Sequence, residues 1–138
     1  MSPLCPFCEI VAGRGHAHVV LDEPRVVAFL DVRPVFPGHV LVVPRAHRRA
    51  LSEVPPEQVG DLFAAAQRVA AAIEASLGAE GAFVALNDKV SQSVPHVHVH
   101  VVPRRRKDGL RGFFWPRHAY ATEQEAAAIA CRIRAGFA

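Results

Sequence analysis

The stretch His96-Val97-His98-Val99-His100-Val101-Val102 constrains this chain more than any other. Its histidines fall on alternate positions, the period of a β-strand, whose successive side chains point to opposite faces. Written as a strand, it sets His96, His98 and His100 on one face, neighbours about 6.6 Å apart at about 3.3 Å rise per residue. Val97, Val99 and Val101 then point the other way, toward a core. On a helix the same residues would scatter around the cylinder, and the β-branched valines would weaken it. A metal-scavenging histidine tract is the alternative. Such tracts are polar and tail-like, whereas this one is half valine and lies inside the chain.

Around it the chain reads as alternating short strands and two helices. Strand patterns run from Ala17 to Leu21 and from Arg25 to Asp31, with turn chemistry at Asp22-Glu23-Pro24 between them. Val27, Phe29 and Asp31 share one face; Val26, Ala28 and Leu30 share the other. His39 opens a continuously apolar run through Pro44, the signature of a central strand. From Pro55 to Leu77, Val59, Leu62, Phe63, Ala66, Val69, Ala70, Ile73 and Leu77 recur at helical spacing, and Gly78 stops the helix. Ala64, Ala65, Ala71 and Ala72 are assigned to its outer face. Ala82 to Asn87 forms a further strand, and Thr122 with Glu125 caps a last helix over about 123–135. The order β-β-β-α-β-β-α with short early turns predicts an α+β fold: an antiparallel five-stranded sheet with one helix packed on it and a C-terminal helix. The 138 residues are expected to form one domain, with a core over about 5–103 and a C-terminal extension.

Composition narrows the function class. With 51% hydrophobic and 21% charged residues the chain is ordinary globular protein, not a disordered segment. No apolar run approaches the roughly 18 residues that a membrane span needs. Met1 to Cys5 shows no basic and apolar leader, so the expected location is the cytoplasm, where three cysteines are free or metal-bound rather than disulfide-bonded. The net charge of +3 is concentrated in Arg104-Arg105-Arg106-Lys107 and Arg111. That run reads as a solvated loop; it could also concentrate a phosphorylated substrate. Aromatic residues are not interleaved with it, which argues against a single-strand nucleic-acid groove.

Two groups of residues carry chemistry. Cys5-x-x-Cys8 is either a redox dithiol or half of a tetrahedral zinc shell. The pair precedes the first strand, whereas a redox pair is expected at a helix start. By chemistry alone His47, His96, His16 or His18 could complete a zinc shell. Cys131, at an apolar position of the last helix, reads as a small core residue. In the triad, neutral imidazole is a competent nucleophile toward phosphorus, and the adduct is labile to water. A row of imidazoles supplies a nucleophile, a donor to phosphate oxygens and an orienting group.

The stretch from His96 to Val102 matches the alternating histidine–hydrophobic signature of the histidine triad family of nucleotide hydrolases and transferases, which this chain resembles. Phe29-Leu30-Asp31, the run Pro37-Gly38-His39-Val40-Leu41-Val42-Val43-Pro44, Asn87 and Gln92-Ser93-Val94 fall in family order. Gly112-Phe113-Phe114-Trp115-Pro116 and the last helix resemble a bacterial branch. The resemblance implies that His98 attacks an α-phosphorus, forming a nucleotidyl-histidine that water resolves. It implies that His100 contacts the phosphate or leaving group, and that His39 orients His98. Gln92, Ser93 and Asn87 would serve the phosphate and leaving atom. Asp31 would hold the ribose, and Phe29, Leu30, Val32 and Ile10 would wall the base. Zinc-bearing relatives place ligands at Cys5, Cys8, His47 and His96, so a structural Zn2+ is expected and no metal is needed for the chemistry. A homodimer is implied too. The expected substrate is a purine nucleoside phosphoramidate or a related nucleotide conjugate, with Ser93 favouring the phosphoramidate. A dinucleoside polyphosphate hydrolase, a nucleotidyltransferase, and a non-catalytic zinc-stabilised nucleotide-binding module are the alternatives. One departure stands out: Asp88-Lys89-Val90-Ser91 lacks the glycines that many relatives place before Gln92.

Overall fold

Alternation along Val26–Leu30 builds both layers of the fold. Val26 and Ala28 join one buried cluster, and Val27 and Phe29 join another on the opposite face of the same strand. The computed structural model describes residues 4–111 and 116–137. In chain order its elements are helix α1 (Pro6–Val11), strands β1 (Val19–Asp22), β2 (Val26–Leu30) and β3 (Val40–Pro44), a 3-10 turn (Leu51–Glu53), helix α2 (Pro56–Leu77), strands β4 (Gly81–Leu86) and β5 (Val99–Arg104), and helix α3 (Glu123–Ala135). The five strands form one sheet in the order β1-β2-β3-β5-β4, and every neighbouring pair is antiparallel. This is the α+β arrangement that the strand and helix periods predict.

Helix α2 covers one face of the sheet. Leu62, Ala65, Ala66, Val69 and Ile73 are its buried residues, and they meet Val26, Ala28, Val40, Val42, Val99 and Val101. Leu62 is fully buried, so truncating it to Ala would cost about 3 kcal/mol in lost transfer energy and cavity. Three assignments along this helix change. Ala65 lies on the buried stripe, three residues after Leu62, and Phe63 and Leu77 are exposed. At 100° per residue Ala65 falls about 60° to one side of Leu62 and Ala66 about 40° to the other, so Ala65 lies on the edge of the inner face, a position that its small side chain left unmarked. Gly78 closes the helix in the left-handed conformation, φ 67°.

The opposite face is covered by α1, which periodicity did not reveal. Six residues are too few for a helical stripe, and its signals are a Pro at N1 and the Cys5 N-cap, whose sulfur accepts the Cys8 N–H at 3.4 Å. The argument that Cys5-x-x-Cys8 stands outside a helix is therefore corrected: the pair sits at a helix start. The ladder of β5 begins at Val99, so the expected strand start at His96 is corrected: the chain bends at His96, whose N–H donates to the Val94 carbonyl at 2.8 Å, and the Val97 N–H donates to the Arg48 carbonyl at 2.7 Å. Val97, Val99 and Val101 still point into the α2 cluster.

The chain divides into two compact units, Met1–Asp108 and Gly109–Ala138. In the second, Thr122 Oγ1 accepts the Glu125 N–H, while Glu125 returns a bond to the N–H of Ala121. No residue of α3 is buried, and Cys131 is exposed rather than a core residue. Gly112 to Trp115 of the aromatic segment lie outside the described residues. Among the described residues no helix is long and apolar enough to cross a membrane.

The basic run is largely engaged. Arg104 pairs with Asp108, Arg106 with Glu80, and Arg105 donates to the Leu77 carbonyl that ends α2. Arg105 also lies about 16 Å along the strand from His100 at 3.3 Å per residue. These residues close the α2–β4 and β5 ends.

Candidate catalytic and metal centres

Gly38 turns the chain into β3 with φ 98°, and a Cβ there would meet Leu77 Cδ1 at 2.5 Å. Only glycine fits both conditions without strain, and the next residue is His39. Its ring is buried. Its Nδ1 accepts the Val35 N–H at 3.1 Å, so in the neutral ring the proton must sit on Nε2. That Nε2–H lies 2.9 Å from His100 Nδ1 and 3.7 Å from Asp31 Oδ2. His100 Nδ1 is thus an acceptor, and its own proton sits on Nε2. The ring to which His39 is hydrogen-bonded is His100, which in turn stands edge-on to His98 at 5.0 Å, so any orienting of His98 by His39, the role the resemblance implies, would run through His100.

His98 is held by backbone. Its Nδ1–H donates to the His96 carbonyl at 2.8 Å, which leaves the Nε2 lone pair bare. Phe7, from α1, stands edge-on to the ring at 5.1 Å and also contacts Phe29 at 5.2 Å and His96 at 5.9 Å. Sequence reasoning missed Phe7; its only signal was an aromatic residue between the two cysteines.

Burial favours the neutral form of His100 and His39. Desolvation lowers His100 to about 4, helped by the neighbouring His98 and His39 and opposed by Asp31. His39 is lowered by the same burial, against the pull of the Asp31 carboxylate and with the push of His98. A charged ring would need water that the site excludes.

His96 faces elsewhere. Its Nε2–H donates to the Pro44 carbonyl at 2.9 Å, so Nδ1 carries the lone pair, and burial lowers the ring to about 4. His96 Nδ1 lies 3.2 Å from His47 Nδ1, 3.5 Å from Cys5 Sγ and 3.6 Å from Cys8 Sγ, while His47 Nδ1 lies 3.2 Å from Cys8 Sγ. A tetrahedral zinc with ordinary bond lengths requires edges of about 3.3 Å between nitrogens and about 3.5 Å between nitrogen and sulfur. The four donors fit such an ion. Burial pushes the Cys5 thiol up. His16 and His18 are exposed and form their own ring contact at 5.3 Å, apart from this cluster. His118 is exposed as well.

The remaining expected residues divide. Asp31 follows β2, and its Oδ1 accepts the Arg33 N–H at 2.9 Å. Asn87 follows β4. Gln92 donates to the Arg49 carbonyl at 2.8 Å, and Ser93 is exposed. Ile10 and Phe29 belong to the cluster on the histidine face. Leu30 does not join them: strand alternation turns it to the other face, against the α2 cluster. There it lines a groove of about 850 Å³ with Val40, Val69, Ile73 and Leu77, a cavity that contains none of the histidines. Val32, at 82% exposure, is packed against nothing that would make a wall.

Lys89 and Ser91 adopt left-handed backbone, φ 70° and 59°, in the loop that lacks glycines. Each costs about 1 kcal/mol or more in a non-glycine residue, so the surroundings must hold them there.

The HIT domain family model matches residues 13–107. An uncharacterised HIT-like protein of Mycobacterium tuberculosis is 41% identical over 108 residues, 77% of this chain and 75% of that one. A crystal structure of a HIT family member from Bacillus subtilis superposes with a TM-score of 0.88 at 34% identity, covering 98% of each chain. The zinc-bound structure of a histidine triad protein from Mycobacterium smegmatis gives 0.75 at 37% identity, over 96% of this chain and 97% of that one. Two Schizosaccharomyces pombe relatives are named for the bonds they cut. One is an adenosine 5'-monophosphoramidase, 31% identical over 87% of this chain and 89% of its own length. The other is an asymmetrical bis(5'-nucleosyl)-tetraphosphatase, 39% identical over 59% of this chain and 46% of its own length. With its alternating histidines, buried neutral imidazoles and matched domain, this chain belongs to the histidine triad (HIT) family.

Proposed function

We propose that this protein hydrolyses nucleotide conjugates at the α-phosphate, with a purine nucleoside phosphoramidate as the expected substrate and His98 as nucleophile. The observation that carries the reading is the hydrogen bond from His98 Nδ1 to the His96 carbonyl, which leaves Nε2 unprotonated beside a second neutral imidazole. The His98 Nε2 lone pair attacks phosphorus, and the bond from phosphorus to the leaving nitrogen breaks. Ser93, an exposed residue of the approach to the triad, passes a proton from solvent to that nitrogen. The positive charge on the phosphorylated ring is shared by the Nδ1–H bond to the carbonyl. His100 Nε2–H donates to a phosphoryl oxygen. Water then attacks phosphorus, the bond to Nε2 breaks, one proton returns to solvent, and His98 regains its neutral form with release of the nucleoside monophosphate. Asp31 accepts from the ribose hydroxyls, Asn87 and Gln92 bind phosphate, and Phe29 and Ile10 back the base. The phosphoramidase name of the fission-yeast relative supports the leaving group.

In this reading Cys5, Cys8, His47 and His96 hold a structural zinc. Four protein ligands leave no open position for a reacting water, so the ion fixes the N-terminal segment against the triad and takes no part in the steps. The free thiols of Cys5 and Cys8 suit a reducing compartment such as the cytoplasm. A homodimer is part of the reading: β4 ends the sheet, and an open strand edge favours pairing with a second copy.

The test is monophosphate release from an adenosine phosphoramidate by the wild type and by His98→Ala, with a dinucleoside polyphosphate run alongside. Loss of at least about 10³-fold in the variant is expected. Equal rates would overturn the nucleophile assignment, and a faster dinucleotide reaction would move the leaving group from an amine to a nucleotide.

A further inference from the structure

We infer that Asp88, a residue outside both centres, is a positioning residue that ties the loop 88–93 to the segment beginning at the metal-facing His47. Its Oδ1 accepts the N–H of Leu51 at 2.8 Å, across 37 residues of sequence. Leu51 opens the 3-10 turn, whose own N-cap residue, Ala50, makes no side-chain cap. An unpaired N–H at a helix start needs an acceptor, and Asp is among the best. Here that acceptor comes from another part of the chain. The main-chain carbonyl of Asp88 meanwhile accepts the N–H of Val90 at 2.8 Å. This closes the tight turn in which Lys89 and Ser91 take left-handed backbone.

Two further bonds follow the same seam. Gln92 Nε2 donates to the Arg49 carbonyl at 2.8 Å, and the Val97 N–H donates to the Arg48 carbonyl at 2.7 Å. Residues 48–51 thus act as a template, read in reverse order by Val97, Gln92 and Asp88. The template starts one residue after His47, and its last bond lands between His96 and His98. Non-glycine residues hold a glycine-like loop because both ends of it are fastened. Asp88 is exposed, so its role is one of geometry and not of charge. The tether itself stands on these hydrogen bonds; its consequence for phosphate placement rests on the function proposed above.

The experiment compares wild type, Asp88→Ala and Asp88→Asn as full-length proteins by amide hydrogen exchange, with a β5 peptide as internal reference. Asn keeps the Oδ1 acceptor; Ala removes it. In Asp88→Ala, peptides covering 48–54 and 88–95 are expected to exchange about tenfold faster with β5 unchanged, while Asp88→Asn stays within about twofold of wild type. Leu51→Pro removes the donor instead and is expected to loosen 88–95 to the same degree, which keeps the test open if Asp88→Ala fails to fold. Unchanged exchange in Asp88→Ala, or in Leu51→Pro where Asp88→Ala does not fold, overturns the tether. On the nucleotide substrate Asp88→Ala is expected to raise KM about tenfold with kcat within about threefold, and Asp88→Asn to restore it. Loosened exchange with an unchanged KM overturns the positioning role. A wild type inactive on every nucleotide conjugate overturns the proposed function and leaves the exchange result to judge the tether.

Discussion

His39 Nε2 lies 2.9 Å from His100 Nδ1, and the Val35 N–H behind it decides which way that bond runs. A backbone N–H can only donate, so His39 Nδ1 can only accept, and the proton passes to the far side of the ring. His100 receives that bond and turns its own N–H outward. Three residues therefore set one proton without any charged group in the line. The same logic, with backbone carbonyls in place of the amide, bares Nε2 on His98 and Nδ1 on His96. Four imidazoles of one chemical type become two N–H donors and two bare lone pairs, one on His98 Nε2 and one on His96 Nδ1, by what stands behind each ring.

Removing the orienting ring should show in kcat. His39→Phe fills the buried space but neither accepts from Val35 nor donates to His100. We expect kcat to fall about 10- to 100-fold with KM nearly unchanged, the range of a misplaced general donor. Nitrogen-15 spectra of the His100 ring should lose their preference for the Nε2–H tautomer at the same time. A His39→Phe enzyme with normal kcat would show that His100 needs no partner.

Burial of His100 makes folding pH-dependent. Its folded pKa, about 4, lies below the ordinary 6.5. The unfolded state therefore takes up the extra proton as pH falls. The contribution to stability is complete above about pH 6.5 and drains away toward about pH 4. His39 is shifted in the same direction. Between pH 7 and pH 5 His100 alone should account for about 2 kcal/mol. Urea unfolding at both pH values checks this: the loss in His100→Gln should be smaller than in wild type by about that amount, since every other titrating group is common to both.

The fold was legible because two periods dominate the chain. Alternation located β2 and β5, a continuously apolar run located β3, and the spacing of Leu62, Ala66, Val69 and Ile73 located α2 to within one residue. What stayed hidden was settled by contacts between distant segments. Helix α1 has no stripe, yet it carries Phe7 to three rings. Leu30 sits beside Asp31 in sequence and on the opposite face in space, because adjacency along a strand means opposition across it. The partner of His39 could not be read either: His98 and His100 share a face, and only the register of β3 with β5, Leu41 opposite His100, brings the second one into reach.

The four-donor cluster predicts what loss of one ligand does. Protein as purified should carry about one zinc per chain. Cys8→Ser should carry far less and melt at least about 10 °C lower, because binding free energy to a preformed shell is folding free energy. Cys131→Ser serves as the control, since that thiol is exposed on α3 and outside the cluster. Metal analysis and thermal unfolding of the two variants decide it; equal zinc content would dissolve the assignment.

Phe7 offers the sharpest separation of stability from chemistry. Its ring is buried between Phe29, His96 and His98, at centroid distances of 5.2, 5.9 and 5.1 Å. Phe7→Ala removes a whole buried aromatic side chain and should cost about 3–5 kcal/mol. That loss alone would say nothing about catalysis. Phe7→Leu keeps most of the apolar volume and the α1 backbone, and should cost less than about 2 kcal/mol. It nevertheless deletes the edge contact on His98, whose ring is otherwise held by the hydrogen bond to the His96 carbonyl and by the edge contact with His100 at 5.0 Å. We therefore expect Phe7→Leu to remain folded and metal-loaded while kcat falls about tenfold, with little change in nucleoside monophosphate affinity. Thermal unfolding, zinc content and single-turnover rates on the same preparation separate the three effects. If kcat survives in Phe7→Leu, the hydrogen bond to the His96 carbonyl and the contact with His100 are enough to aim His98 without Phe7.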